Sequence, residues 1–266
     1  MTRTFLALLH FDGGDFVGWQ RQAAGRSVQG EVERVLDRLT GGPVAAAGAG
    51  RTDAGVHAEG LGVSFSLDAR WGAADLRRAL NALLPADCWV AAVHEMAPGF
   101  HARKSAESRR YRYVVGTEDA AFSPFRRRYE WALGRALDGP ALLAAAAAIR
   151  GTHSFEAYSV RGQLKPHYRC TVTESAWSFA GMHSAEFRIE ADRFLHHMVR
   201  MLVGTMVAIA LGRREPSDML RLLESADNQE TSPPAPPEGL YFVRARYPAS
   251  AYLSPDQELH EALRDA

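Results

Sequence analysis

The chain has 266 residues, with 31 lysines and arginines set against 31 aspartates and glutamates, zero formal net charge and 47% hydrophobic content. That length and composition suit one large or two modest globular domains whose core needs neither disulfides nor metal, and they exclude binding of a polyanion through global positive charge. Two cysteines, Cys88 and Cys170, have neither C-x-x-C nor metal-ligand spacing, which points to a reducing, cytoplasmic setting.

In chain order, FLALLHF (5–11) reads as a buried strand whose apolar run stops at Asp12, too short for a signal peptide. Ser27 is the expected N-cap of a helix through VQGEVERVLDRL, with Val28, Val32, Val35, Leu36 and Leu39 at helical spacing and Gly41-Gly42-Pro43 ending it. A short strand at 44–49 leads into the polar turn GRTDAGVH, and GLGVSFSL alternates like a strand. A helix near 73–84 stops at Pro85, and CWVAAVHEM is another strand. Residues 105–115 carry Tyr-x-Tyr strand spacing at Tyr111 and Tyr113.

The alanine-rich stretch 140–150 predicts a helix closed by Gly151 as C-cap. Residues 168–180 and 183–191 read as two strands joined near Gly181. A helix from about Phe194 to Leu211 follows, with Asp192 as its cap, then a helix at 217–225, a Ser/Pro loop at 232–237 and a final strand in GLYFVRARY. This alternation predicts an α+β fold of two lobes, 1–99 and 100–248, with a central, largely antiparallel mixed sheet flanked by helices, and a tail at 249–266. The basic clusters Arg103, Lys104, Arg109, Arg110, Arg112 and Arg126–Arg128 are segregated from an acidic tail holding Asp256, Glu258, Glu261 and Asp265.

FLHHMVRMLVGTMVAIAL (194–211) is apolar on nearly every face and should be buried all round. A membrane span is the alternative, but Arg200 and two histidines oppose it, since arginine at a bilayer centre costs at least about 2.5–3.5 kcal/mol. No other segment looks membrane-bound. In a soluble core Arg200 needs a carboxylate partner, because breaking a buried pair costs about 3–5 kcal/mol. GRTDAGVH offers a candidate. Asp53 there is either an Asx-turn residue bonding its own backbone or a carboxylate presented from a loop, with Ala54 and Gly55 leaving room for a large substrate.

GAGRTDAGVHAEG resembles the signature of the tRNA pseudouridine synthase A family. FVGWQRQ with SVQGEVE, LNALLP, FHARKSAESRRYRYVV, FLHHMVRMLVGTM and EGLYFVRARYP resemble further blocks of that family, in the same order over most of residues 1–248. The resemblance implies an isomerase that turns uridine into pseudouridine at positions 38–40 of the tRNA anticodon arm, as a homodimer and without a cofactor. By position it implies that Asp53 is the catalytic aspartate, that Tyr111 stacks on the target base, that Arg200 pairs with Asp53, and that Arg51 fills or stabilises the space left by the extruded nucleotide.

The chemistry suits these residue types. A carboxylate can attack carbon or accept a proton, a nearby cation favours its charged form, and the base must be flipped out of its stack. Arg103, Lys104, Arg109 and Arg110 would contact tRNA phosphates, or else form an ordinary solvated strand face. Scattered His57, His101, His196 and His197 give no metal site, and Trp19 and Gln20 are read as supports. Two rivals are a non-catalytic tRNA-binding protein and a glycosidase, which would need a second acid flanking the scissile bond.

Overall fold

The computed structural model describes residues 2–160, 167–181 and 183–253. The acidic tail from 254 and residues 161–166 lie outside the described residues. The described residues divide into two compact units, residues 2–107 with 242–253, and residues 108–241.

The first unit is built on β1 (Thr2–Phe11), α1 (Val28–Thr40), β2 (Ala47–Gly48), β3 (His57–Asp68), α2 (Ala73–Leu83) and β4 (Cys88–Met96). β1 pairs antiparallel with β3 and with β4, Phe5 opposite both Phe65 and Glu95. Phe5, Leu6, Leu9, Leu61 and Phe65 fill the centre of its core. α1 begins where expected. The Ser27 hydroxyl accepts the Gly30 N–H at 3.2 Å, and Gly41 in the left-handed region (φ 78°) ends the helix. Val28, Val32, Val35 and Leu36 form its buried stripe. α2 buries Leu76 and Leu80, and its Asn81 amide both donates to and accepts from the Val90 backbone at 2.9 and 2.7 Å, tying helix to strand. The strand expected at 44–49 shrinks to two residues.

The second unit comprises β5 (Ser108–Gly116), β6 (Trp131–Ala132), α3 (Gly139–Ala148), β7 (Gly151–Ser154), β8 (Arg169–Ala180), β9 (Ser184–Ala191), α4 (Met198–Ala210) and α5 (Asp218–Glu224). A last strand, β10 (Leu240–Arg246), carries the chain back to the first unit, where its residues from Phe242 onward belong. In the second unit the strands run β5–β9–β8–β7, antiparallel throughout, while β6 lies parallel to β5. The fold is therefore α+β, with largely antiparallel strands and flanking helices. Phe155, Tyr158, Phe187, Ile189, Leu202 and Met206 form the core here.

Three local expectations change. α3 ends at Ala148 with Ile149 as its cap, and Gly151 instead opens β7 at φ 99°, because the chain needs a sharp reversal into the strand. Asp192 does not cap α4: its carboxylate accepts the Thr171 N–H at 2.8 Å and extends the β8–β9 ladder. α4 starts at Met198, four residues after Phe194, because His197 sits in the left-handed region (φ 62°) and breaks the helix there. Eleven of its 13 residues are nonetheless buried, as the all-round apolar pattern requires. No described helix is long and apolar enough to cross a membrane.

Candidate active site

Asp53 lies in the first unit, on the loop between β2 and β3. Its main-chain carbonyl accepts the Val56 N–H at 3.2 Å, closing a turn in which Gly55 adopts φ 79°. The main chain thus closes the turn, and the half-buried Asp53 side chain stands on a fixed base. Arg51, two residues earlier, is exposed.

The FVGWQ segment braces this loop from below. Trp19 N–H donates to the Thr52 carbonyl at 3.1 Å, and Gly55 N–H donates to the Phe16 carbonyl at 3.4 Å. Two glycines permit the close approach. A Cβ at Gly18 (φ 107°) would sit 2.5 Å from the Thr52 carbonyl oxygen and 3.1 Å from the Asp53 carbonyl carbon. A Cβ at Gly13 would sit 2.0 Å from the Val56 carbonyl oxygen. Gly13 N–H also donates to Nδ1 of the buried His57, at 3.0 Å. Trp19 is itself buried and lies against Gly48, so it supports the loop, as read from sequence.

Arg26 anchors the brace in turn. Its guanidinium sits 4.2 Å from the Phe16 ring centroid and bonds Asp87 at 2.9 Å and Glu31 at 2.8 Å. Those bonds, Asp87 first, raise the Arg26 pKa against the opposing effect of burial. The Glu31 carboxyl is correspondingly held below the usual carboxylate range by its bond to Arg26 and then by Arg34.

Tyr111 and Arg200 belong to the second unit. On β5, Tyr111 and Tyr113 share one face but differ in role. The Tyr113 ring is wholly buried and its hydroxyl donates to the Pro236 carbonyl at 2.7 Å. Burial pushes that hydroxyl's pKa well above its ordinary value. Tyr111 keeps 8% exposure and meets Phe194 edge to face at 4.9 Å. Both are buried, Tyr111 the less completely of the two.

Arg200 lies in the first turn of α4, half-buried. Its Nε donates to the Ala235 carbonyl at 2.7 Å, while Ala235 N–H donates back to the Arg200 carbonyl at 2.9 Å. This reciprocal pair fixes the root of the side chain. Gly204, one turn on, makes room for it, since a Cβ there would lie 2.3 Å from the Pro233 carbonyl oxygen. A cavity of about 270 Å³ next to this segment is lined by His197, Met201, Val160, Asn228, Thr231 and Ser232.

The basic stretch separates into different surroundings. Arg103 and Lys104 are exposed in a turn before β5. Arg109 donates to the Asp192 carbonyl at 2.9 Å. Arg110 bonds Glu190 and Glu174, each at 2.8 Å, and Arg112 pairs with Glu186 at 3.5 Å while lying 3.8 Å from the Tyr241 ring centroid. The charges of Arg110 and Arg112 are thus matched across the sheet by acids on β8 and β9.

Sequence reading missed the bracing glycines, the Arg26 anchor and the Ala235 contact. The doublet at Gly13-Gly14 and the glycine before Trp19 were visible, but only coordinates show whose backbone they approach.

Comparison with known proteins gives a consistent picture. A family model described as tRNA pseudouridine synthase matches residues 145–248. The chain is 40% identical over 241 residues to tRNA pseudouridine synthase A of Moorella thermoacetica, covering 90% of this chain and 97% of that one. It is 38% identical to the proteins of the same name from Geobacillus kaustophilus (93% and 95% covered) and Chlorobaculum tepidum (92% and 98%).

Proposed function

The chain belongs to the tRNA pseudouridine synthase A family, and from that premise we propose that Asp53 is the carboxylate with which it isomerises uridine in tRNA. The enzyme is an isomerase. The N1–C1′ bond breaks, the uracil turns, and C5 joins C1′ while the C5 proton leaves and N1 gains one. No electrons and no phosphate are exchanged, so the balance needs no co-substrate.

The observation that carries the reading is the Asp53 turn itself. A half-buried carboxylate stands on a main-chain turn clamped from the Trp19 side, with alanine and glycine after it, so a substrate can approach its backbone. Such preorganisation suits a group that must meet C1′ or a ribose proton at fixed geometry. In the proposed roles Tyr111 stacks on the flipped uracil, recovering part of the few kcal/mol that unstacking costs. Arg200, rooted on Ala235, supplies the cation that favours ionised Asp53. Arg51 stabilises the gap that the flipped nucleotide leaves. Exposed Arg103 and Lys104 meet tRNA phosphates with Arg109, whereas Arg110 is the weakest of that set because Glu174 and Glu190 already balance it.

Resemblance to the family further supports uridines 38–40 of the anticodon arm as targets, a homodimer as the working form, and the cytoplasm as its place. Shape and backbone contacts would let neighbouring uridines share one site. The test is to incubate the protein with unmodified tRNA tritiated at uracil C5. Tritium release with pseudouridine at 38–40 is expected. Binding without release would instead favour a non-catalytic tRNA binder, and free uracil a glycosidase.

A further inference from the structure

The loop between β5 and β6 displays three aromatic rings within eight residues: Phe122 (52% exposed), Phe125 (88%) and Tyr129 (43%). Single exposed apolar residues are ordinary, but a cluster calls for an occupant. This loop is also firmly held. Arg126 and Arg127 N–H both donate to the Ser123 carbonyl at 2.9 Å, Tyr129 N–H to Arg126 at 2.7 Å, and the Tyr241 hydroxyl to the Tyr129 carbonyl at 2.6 Å. Phe122 lies against Gly134, where a Cβ would come within 2.4 Å of its ring. The rings are therefore set out on a preorganised frame.

Charge indicates what fits them. Arg126 turns to Glu130 at 2.7 Å and to Glu118, which His183 also bonds at 2.6 Å. Glu118 is held below the usual carboxylate range by His183 first and Arg126 second. Glu118 and Glu130 are thus engaged by Arg126, and Arg127 and Arg128 are exposed on the same loop as Phe125. We propose that this loop is a second tRNA contact, distinct from the Asp53 turn, in which Phe125 stacks on an unpaired base while Arg127 and Arg128 meet its phosphates. The idea rests on the synthase reading for its choice of RNA. Flat rings between cations match a strand of bases and phosphates. A second copy of the chain, docked isologously on this patch, would bring both copies' Arg127 and Arg128 into one interface, where like charges oppose association.

The experiment compares wild type, Phe125→Ser and Arg127→Ser/Arg128→Ser, each checked for an unchanged melting profile. It measures affinity for unmodified tRNA across a salt series, tritium release at saturating tRNA, and mass in solution by sedimentation. Loss of one stacked base predicts tRNA affinity about 5- to 150-fold weaker for Phe125→Ser, with release at saturation within about twofold of wild type. The double arginine variant should flatten the slope of log affinity against log salt by about 1–2. Unchanged affinity and slope in both variants would overturn the proposal. So would a change in sedimenting mass at unchanged affinity, which would assign the loop to self-association. Wild-type protein that releases no tritium would count against the synthase reading alone, since the loop variants would still report on RNA binding.

Discussion

Arg200 and Ala235 are hydrogen-bonded in both directions, side chain to carbonyl at 2.7 Å and amide to carbonyl at 2.9 Å. The guanidinium is thereby rooted on a proline-rich segment that itself rests on Gly204. Removing the Arg200 charge tests its role. Arg200→Met should leave tRNA affinity within about threefold but lower kcat by at least about tenfold, because the cation favouring ionised Asp53 is lost. Undiminished turnover would reject the pairing.

Gly204→Ala separates two opposed effects. Alanine inside a helix gains up to about 1 kcal/mol over glycine. A methyl 2.3 Å from the Pro233 oxygen costs about 1–3 kcal/mol of overpacking. The clash wins, so a lower Tm is expected together with reduced kcat, as residues 233–235 shift and Arg200 follows. A Tm above wild type would show that the segment yields freely.

Tyr111→Ala should impair turnover more than binding. A stacked base is worth about 1–3 kcal/mol, so kcat/KM should fall roughly 5- to 150-fold, while Tyr111→Phe keeps most activity. Collapse of tRNA affinity with intact chemistry would remove Tyr111 from the base-stacking role.

Arg26→Ala probes the brace beneath the Asp53 loop. About a third of the Arg26 side chain remains exposed, so the loss should be about 2 kcal/mol, below the about 3–5 kcal/mol of a fully buried pair. The Glu31 pKa is depressed in the fold, so its contribution is present above its unfolded value of 4.5 and vanishes as pH falls through the lower folded value. The Tm gap between wild type and Arg26→Ala should therefore hold at pH 6–7 and narrow as pH falls well below about 4.5. A gap independent of pH would place the effect elsewhere, in the contact with Phe16.

Much of this was legible in the sequence because local chemistry decided it. Ser27 and Gly41 bound α1 through capping that any chain would use, and the run 198–210, apolar on nearly every face around Arg200, had to be buried. Where tertiary pairing overrode local preference, reading failed. Asp192 suits a helix cap, but Thr171 competes for its carboxylate. His197 carries no mark in sequence of its left-handed backbone, which sets the start of α4 at Met198 rather than near Phe194. The candidate site was legible as motifs, Asp53, Tyr111 and Arg200 among them, and its supports were not. That Gly18 lies under Thr52, or that Arg110 is balanced by Glu174 and Glu190, depends on residues far apart in the chain.

Asp53→Asn tests the role of the Asp53 carboxylate most directly, since the substitution preserves size and removes charge. Pseudouridine formed in unmodified tRNA should be quantified by nucleoside analysis, beside tRNA affinity and Tm. The account predicts a folded protein that binds tRNA within about threefold of wild type and forms pseudouridine at least about 10³-fold more slowly. Formation at a rate near wild type would contradict it.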